Sequence, residues 1–215
     1  MRVYSIFDSI DGEVNGFHQG GLTTFVRLAG CSLGCEYCDT RYAWKKDSGN
    51  EMSIDDVLKQ LHSAKKVTIT GGEPLEQKEA VFELINCLNN LGIKVSVETN
   101  GSIPLGSRLF SLARWVVDYK LPSSKVQERL MKFNFENLRQ IDFVKFVIQH
   151  HNDFQFANQV RKNLCEKGCK ANFAYSPVFG VLDPKILISW LYTEGPRDSV
   201  INLQLHKYLE LVEDK

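Results

Sequence analysis

Three cysteines share one short loop in the stretch Cys31-Ser32-Leu33-Gly34-Cys35-Glu36-Tyr37-Cys38, which directly follows the apolar run 25–29. A structural zinc ion or an electron-transfer [4Fe-4S] cluster normally takes four protein ligands. No further Cys or His follows until His62. The loop therefore predicts a cluster with one iron left open to a small molecule. A zinc site with a remote fourth ligand, or three separate buried thiols, are the alternatives.

The composition favours a single domain that acts on a small molecule. A chain of 215 residues is long enough for one substantial α/β domain with a buried core. Its 26 basic and 26 acidic residues balance, which argues against nucleic acid and against a membrane as partners. The N-terminus has no apolar stretch of signal-peptide length, so we expect a cytoplasmic protein. In that reducing compartment, the six cysteines favour metal or cofactor roles over disulfides.

Short β-rich runs alternate with amphipathic stretches, which predicts a mostly parallel sheet with crossover helices. Ser53 and Asp183 can each cap a helix, and a third helix is expected over 77–91, ended by Gly92. The predicted strands are 24–28, 67–70, 94–98, 115–119, 143–148, 171–175 and 200–205.

Polar residues follow the predicted strands, where parallel sheets gather their ligands. Gly71, Gly72 and Glu73 come directly after the second strand, and a carboxylate beside two glycines can hold an ammonium group. Glu98 ends the third strand and could meet ribose hydroxyls, whereas Lys120 could meet a carboxylate. Each motif also has a plainer interpretation. The Gly-Gly-Glu segment could be an ordinary tight βα turn, the end of the third strand an Asn-Gly turn, and Lys120 a solvated lysine.

The spacing C-x3-C-x2-C, with an aromatic residue before the last Cys and with Gly-Gly-Glu after the next strand, resembles the radical S-adenosylmethionine (SAM) superfamily. That resemblance implies a [4Fe-4S] cluster on Cys31, Cys35 and Cys38 with SAM on the fourth iron. A low-potential donor, flavodoxin or ferredoxin, would reduce it. The implied SAM contacts are Glu36, Tyr37, Cys38, Gly72, Glu73, Glu98, Asp118 and Lys120.

Further motifs resemble the 7-carboxy-7-deazaguanine synthase family within this superfamily. They are residues 6–13, 25–31, 37–40, 69–74, 98–101, 120–124 and 203–209. Members are lyases of queuosine and 7-deazapurine biosynthesis. They use SAM and Mg²⁺ to contract 6-carboxy-5,6,7,8-tetrahydropterin to 7-carboxy-7-deazaguanine, with loss of ammonia. The resemblance implies a modified, incomplete (βα)6-type barrel in one domain and a homodimer.

The resemblance also implies roles around the substrate. Arg27 would pair with the substrate carboxylate, and Thr40 would be the protein ligand to Mg²⁺, with Asp39 as a nearby competitor. Arg27 could instead snorkel from a strand end, although a charge in an apolar strand is costly to bury without a partner. His206 could be purely structural. The other implied substrate contacts are Ile10, Asp11, Gly12, Glu13, Thr70, Gln204 and His206.

Some features depart from the family or stand apart from it. Asp11-Gly12-Glu13-Val14 replaces the usual Gln-Gly-Glu-Gly. A carboxylate in place of the amide could change which edge of a pterin-like substrate this segment recognises. Asp118-Tyr119-Lys120 replaces the Ser-Pro-Lys of some members. Cys165 is interpreted as a helix-packing residue and Cys169 as incidental, while Cys87 has no assigned role.

The chain is expected to divide by task into a substrate and cluster segment (6–44), a SAM-binding core (53–148) and a C-terminal closing segment (149–215). Two other functions fit the cysteine loop. One is a radical SAM activase that makes a glycyl radical on a partner protein. The other is a non-catalytic zinc or Fe-S binding module.

Overall fold

The computed structural model describes residues 1–61, 63–106 and 110–211. Within them, nine strands form one sheet in the order β3-β1-β2-β4-β5-β6-β7-β8-β9. The strands are β1 (Arg2–Ile10), β2 (Leu22–Leu28), β3 (Asn50–Glu51), β4 (Lys66–Gly71), β5 (Lys94–Thr99), β6 (Arg114–Tyr119), β7 (Phe143–Ile148), β8 (Asn172–Pro177) and β9 (Val200–Ile201).

Neighbouring strands from β2 to β9 all pair in parallel, whereas β1 runs antiparallel to both β2 and β3. The expected mostly parallel α/β sheet is confirmed. Crossover helices connect most of the parallel strands, as such pairs require. The α-helices of the described residues are α1 (Ile54–Gln60), α2 (Lys78–Asn90), α3 (Phe133–Glu136), α4 (His151–Glu166), α5 (Pro184–Thr193) and α6 (Leu205–Tyr208).

The helix ends follow the predicted capping chemistry. The Ser53 side chain accepts a hydrogen bond from the Asp56 backbone N–H, and the Asp183 side chain accepts one from Lys185. Gly92 follows α2 with a φ of +71°, a left-handed conformation that favours glycine. All three helices lie within a residue or two of their predicted positions.

The last predicted strand, 200–205, is wrong in its second half. Pairing with β8 stops at Ile201, because the buried Asn202 turns the chain. Its backbone N–H donates to the Tyr175 carbonyl over 2.9 Å, and its side chain bonds Ser176 and the Val14 backbone. Strands β1 and β3 were not predicted. Most of β1 is only half-buried, so its apolar signal is weak.

The burial of Cys165 and Cys169 is the reverse of what the sequence suggests. Cys165 is exposed in the last turn of the helix, so it does not pack a helix face. The chain then reverses at Gly168, where φ is +91°. Cys169 returns to the interior, is 8% exposed and belongs to the core.

Successive side chains of a strand point to opposite sides of the sheet, so its two faces carry different residues. One face packs against helices such as α2 and carries apolar side chains, including Ile69, Val97 and Phe146. The opposite face carries Arg27 and Lys145, both buried. Charged groups on a buried face require partners, so this face is where a polar site can form.

The open side of the sheet is bridged by polar contacts rather than by strand pairing. The segment after β1 meets the segment after β9, where the Leu205 N–H donates to the Gly12 carbonyl over 2.9 Å. The Gln19 side chain donates to the Leu203 carbonyl over 2.6 Å. The two edges are therefore joined as an incomplete barrel. No described helix has both the length and the apolar character needed to cross a membrane.

The helix-side core predicts a clear difference between neighbouring residues of α2. Leu84 is fully buried, so Leu84→Ala should lower the free energy of unfolding by about 2–5 kcal/mol. The adjacent Glu83 faces solvent, and Glu83→Ala should change it by less than about 0.5 kcal/mol. Urea unfolding followed by circular dichroism measures both; equal losses would show that α2 does not pack as described.

Candidate active site

A polar cavity lies where the carboxyl ends of the parallel strands meet, as expected for such a sheet. The structure brings most of the predicted site residues to its wall. They are Ile10, Gly12, Glu13, Arg27, Cys31, Cys35, Tyr37, Cys38, Thr40, Thr70, Gly72, Glu98, Asp118, Lys120, Gln204 and His206. Asp11, Glu36 and Glu73 are not among the lining residues.

All three residues of the cysteine motif line this cavity. Donors from neighbouring loops point at two of the sulfurs: Trp44 Nε1 lies 3.2 Å from Cys38 Sγ, and Asn100 Nδ2 lies 3.7 Å from Cys31 Sγ. Hydrogen bonds to sulfur are a normal means of tuning an iron-sulfur cluster. Soft thiolates are also the ligands such clusters prefer.

The loop fits a cluster better than a single metal ion. No three His, Cys, Asp or Glu side chains of residues 1–61, 63–106 and 110–211 are grouped to hold one ion. A cubane spreads its three cysteines over three irons, so their sulfurs need not converge on a point. Burial raises the pKa of Cys31, and it raises the pKa of Cys35 to about 11. A deprotonated ligand set therefore needs the positive charge of a metal centre.

The Gly-Gly-Glu turn is tied tightly to the start of the cysteine loop. The Gly72 N–H donates to the Leu28 carbonyl and the Glu73 N–H to the Gly30 carbonyl, over 2.9 and 2.7 Å. Gly71 has a φ of +142°, and a Cβ there would lie 2.2 Å from the Leu28 oxygen. Only glycine fits this approach.

Glu73 has a task that the sequence did not indicate. It is 1% exposed, and its carboxylate accepts hydrogen bonds from Thr99 Oγ1 and from the backbone N–H groups of Leu75 and Asn100. Burial raises its pKa. Its oxygens are thus engaged inside the protein, where they fix the loops after β4 and β5, and Gly72 is the part of the turn that reaches the cavity wall.

Two buried polar atoms near the cysteines lack a hydrogen-bond partner among the described residues. They are Tyr37 Oη and Asp118 Oδ1, and both side chains line the cavity. The other Asp118 oxygen accepts from Lys120 Nζ at 2.7 Å. Burial alone would lower the pKa of Lys120, but Asp118, Cys35 and Tyr37 together outweigh burial and raise that pKa. An unpaired donor and acceptor beside a fixed ammonium suit a polar cofactor such as SAM.

Arg27 and Thr70 lie side by side on β2 and β4, where they are register partners. Arg27 is 6% exposed, and its guanidinium lies 5.5 Å from the Phe7 ring centre and 5.6 Å from that of Tyr42. Thr70 Oγ1 donates to Glu98 over 2.9 Å. Burial, followed by the charge of Glu13, raises the pKa of Glu98. A planar guanidinium beside two aromatic rings is a group that can bind a carboxylate.

Lys145 is a site residue that the sequence analysis missed. It lies in the middle of β7, lines the cavity and contacts Glu13 at 2.5 Å and Asp118 at 3.8 Å. Burial alone would lower its pKa, but Glu13 and Asp118 outweigh it and raise that pKa. The signal was available, since a lysine inside the apolar run 143–148 is as conspicuous as Arg27 in its own strand.

Residues of the C-terminal segment line the cavity and contact Asp39, next to the cysteine loop. Lys207 and Gln204 both bond the Asp39 carboxylate, at 2.5 and 3.2 Å, and Gln204 also donates to Glu13 over 2.9 Å. Burial would raise the pKa of Asp39, but Lys207 and Gln204 outweigh it and lower that pKa to about 2. A Cβ on Gly12 would lie 1.8 Å from His206 Nδ1, so the histidine packs directly on this glycine.

Two predicted contacts lie away from the cavity. Asp11 is 2% exposed, forms an ion pair with the buried Lys66 and accepts from Thr68 Oγ1 over 2.8 Å. Asp11 therefore differs from the Gln that is usual in the family, but it is not among the residues that line the cavity. Glu36 has a solvent-exposed side chain, 3.4 Å from Lys125 Nζ. Neither side chain is placed to contact a ligand in the cavity as the sequence analysis expected.

Comparison with known proteins gives matches over nearly the whole chain. The model of the radical SAM superfamily matches residues 25–119. A 7-carboxy-7-deazaguanine synthase from Clostridium acetobutylicum is 36% identical, covering 97% of this chain and 95% of that protein. One from Leptospira interrogans is 35% identical, with 96% and 94% covered. The crystal structure of QueE from Escherichia coli superposes with a TM-score of 0.76 at 20% identity, covering 94% of this chain and 92% of that one, which supports the fold.

The buried Asp11–Lys66 pair predicts that Asp11 matters for stability rather than for substrate choice. Asp11→Asn leaves a buried ammonium without its charged partner, so the free energy of unfolding should fall by about 3 kcal/mol. The affinity for substrate should change by less than about twofold, roughly 0.4 kcal/mol.

Chemical unfolding and equilibrium binding measure the two effects separately. Removing both charges, in Asp11→Asn with Lys66→Met, should restore most of the lost stability. A large loss of substrate affinity with unchanged stability would instead show that Asp11 contacts the substrate.

Proposed function

The chain belongs to the 7-carboxy-7-deazaguanine synthase family of the radical SAM superfamily, and from that membership we propose which residues of its cavity hold the reactants. The enzyme is a radical SAM lyase that converts 6-carboxy-5,6,7,8-tetrahydropterin to 7-carboxy-7-deazaguanine. The observation that carries the residue assignments is that the three cysteines and Arg27 line one cavity. The reaction conserves the substrate's atoms in product plus ammonia, so it is redox-neutral.

The cofactor half of the cavity is assigned to the loops after β2, β4 and β6. Cys31, Cys35 and Cys38 would hold a [4Fe-4S] cluster, which together with SAM supplies a 5′-deoxyadenosyl radical. Lys120, held by Asp118, would receive the carboxylate of SAM, and Gly72 would meet its amine through the backbone. Glu73 acts on that contact indirectly, because its hydrogen bonds to Thr99, Leu75 and Asn100 support the turn.

The unpaired atoms and the carboxylate of β5 complete this half. Tyr37 Oη and Asp118 Oδ1 are available to polar groups of SAM, since neither has a partner in the described residues. Glu98 lies between them and the substrate half, where it is bonded by Thr70 and can accept from a ribose hydroxyl. The proposed role of Glu36 reduces to its backbone, because its side chain points to solvent.

The substrate half is assigned to β1, β2 and the C-terminal segment. Arg27 would bind the pterin carboxylate with its planar fork, beside Thr70. Glu13, fixed by Lys145 and Gln204, would accept N–H groups from the pterin edge. Ile10 and Gly12 would add backbone contacts, and His206 would cover the ring from the far side.

Mg²⁺ is proposed to bind at Thr40, which lines the cavity beside Cys38. Magnesium keeps most of its waters and can take substrate oxygens, so one protein hydroxyl is enough to position it. The Asp39 carboxylate is adjacent, but Lys207 and Gln204 already bond it. It therefore serves better as a closing contact than as a metal ligand.

Four further assignments are also proposals. A flavodoxin or ferredoxin would deliver the electron that primes the cluster. The cytoplasm is the fitting compartment, because thiol ligands and a reduced cluster need reducing conditions. A homodimer is implied by the family. Segments 6–44, 53–148 and 149–215 keep their proposed division into substrate and cluster binding, SAM binding and closure.

The reaction can be tested on the chain after anaerobic reconstitution with iron and sulfide. Incubation with SAM, dithionite, Mg²⁺ and 6-carboxytetrahydropterin should give 7-carboxy-7-deazaguanine by mass spectrometry, with no stoichiometric build-up of 5′-deoxyadenosine. One deoxyadenosine per turnover would instead indicate an activase, which consumes SAM. An intact cluster without the deazaguanine product would overturn the substrate.

Arg27 provides the most selective mutational test. Arg27→Ala should weaken substrate binding by about 2–3 kcal/mol, roughly 30- to 150-fold, because a buried charged contact is lost. Arg27→Lys should recover only part of this, since it lacks the planar fork. Arg197 is exposed, so Arg197→Ala is the matched control and should bind the substrate with the parent affinity. Loss of the brown cluster in Arg27→Ala would show that the residue is structural.

A further inference from the structure

We propose that the outer side of the cysteine loop is the docking surface for the protein that reduces the cluster, an acidic one-electron carrier. The surface, here called the donor face, consists of the exposed side chains of Lys125 and Arg129, which lie over the buried Leu33 and Val126. The proposal rests on the function proposed above, because only a redox-active cluster needs such a donor.

The donor face lies over a thin apolar wall on one side of the cysteines. Leu33 and Val126 are 3% and 7% exposed, and they form a separate small apolar cluster with Cys35, against which Cys31 and Cys38 pack. Neither Leu33 nor Val126 is among the residues that line the cavity. The side facing the cavity is assigned to SAM and the substrate, so the side behind this wall is left for electron entry.

Exposed cations bind the outer side of the loop. Arg129 donates to the carbonyls of Ser32 and Leu33, over 2.6 and 3.0 Å. Lys125 Nζ lies 3.4 Å from the Glu36 carboxylate, with 71% of its own side chain still exposed. Segment 122–132 carries three basic residues against one acidic residue, and it stays positive by one charge when Glu36 is counted with it. A local positive patch steers an acidic partner to this position.

The backbone at Lys125 provides an independent sign that its charge is useful. Its φ is +59°, in the left-handed region, at the end of the short 3-10 helix Pro122–Ser124. Glycine or asparagine would adopt that conformation at lower cost than lysine. Strain of this kind concentrates at functional sites. Most of the Lys125 side chain is exposed, so its charge is available to a docking partner.

The step at this face is a one-electron transfer. With flavodoxin as the probe, the flavin hydroquinone is oxidised to the semiquinone. The oxidised [4Fe-4S]²⁺ cluster is reduced to [4Fe-4S]⁺. The hydroquinone is prepared beforehand with NADPH and flavodoxin reductase, so the transferred electron has a stated source.

Anaerobic stopped-flow spectroscopy can test the surface directly, by following flavin oxidation when reduced flavodoxin is mixed with the reconstituted protein. Lys125→Glu should lower the second-order rate constant about 5- to 10-fold at low salt, and the difference should shrink as the salt concentration rises. Arg129→Gln, which can still donate to the loop carbonyls, should have a smaller effect of the same kind.

Matched controls separate docking from folding and chemistry. Lys162→Glu makes the same change of charge on the exposed side of α4 and should react at the parent rate. Lys125→Gly removes the charge and relieves the strained backbone, so it should react more slowly while keeping its iron content and thermal stability. Dithionite is small and needs no docking surface, so cluster reduction by dithionite should be equal in all variants.

The outcomes distinguish this proposal from the proposed function. Equal rates with flavodoxin for Lys125→Glu, Lys125→Gly and the parent would overturn the donor face. So would a loss in Lys162→Glu as large as that in Lys125→Glu. If dithionite-reduced protein made no deazaguanine, the proposed function would fail, whereas the flavodoxin rates would still report on the surface.

Discussion

The constraint on which the structure depends is that charges turned inward by the sheet must be paired. Glu13, Lys145, Asp118 and Lys120 form a chain of alternating charge across the cavity wall, with 2.5, 3.8 and 2.7 Å between successive partners. Glu13 comes from the segment after β1, and Lys145 comes from the far side of the parallel sheet. The Glu13–Lys145 pair therefore adds to the contacts that bridge the open side of the barrel. It also joins the proposed substrate half of the cavity to the proposed SAM half.

This arrangement explains why ligand binding and fold closure use the same groups. Gln204 bonds both Glu13 and Asp39, so the C-terminal segment is attached to the substrate edge and to the cysteine loop together. A buried ion pair is costly to desolvate and contributes little net stability by itself. It does hold its partners in one geometry, and a radical reaction needs reactants that are fixed and shielded from water.

Local chemistry made much of the fold and of the cysteine site predictable. Apolar alternation located the parallel strands, and Ser53 and Asp183 marked helix starts, because these signals depend only on neighbouring residues. Contacts between distant parts of the chain carried no such signal. Lys66 could not be recognised as the partner of Asp11, nor could Thr99 and Asn100 be seen to occupy Glu73. The end of β9 at Asn202 depends on a hydrogen bond to Val14, nearly the full chain away.

The most direct test of the account is a double-mutant cycle on Glu13→Gln and Lys145→Met, measured as the free energy of unfolding and as SAM affinity in the reconstituted protein. Their side chains are only 12% and 11% exposed, so a coupling energy of at least about 1.5 kcal/mol is expected in unfolding. Lys145→Met alone should also weaken SAM binding, because Asp118 loses a neighbouring charge. Additive effects on stability, with unchanged SAM affinity, would contradict the claim that this pair bridges the open side of the barrel and links the two halves of the cavity.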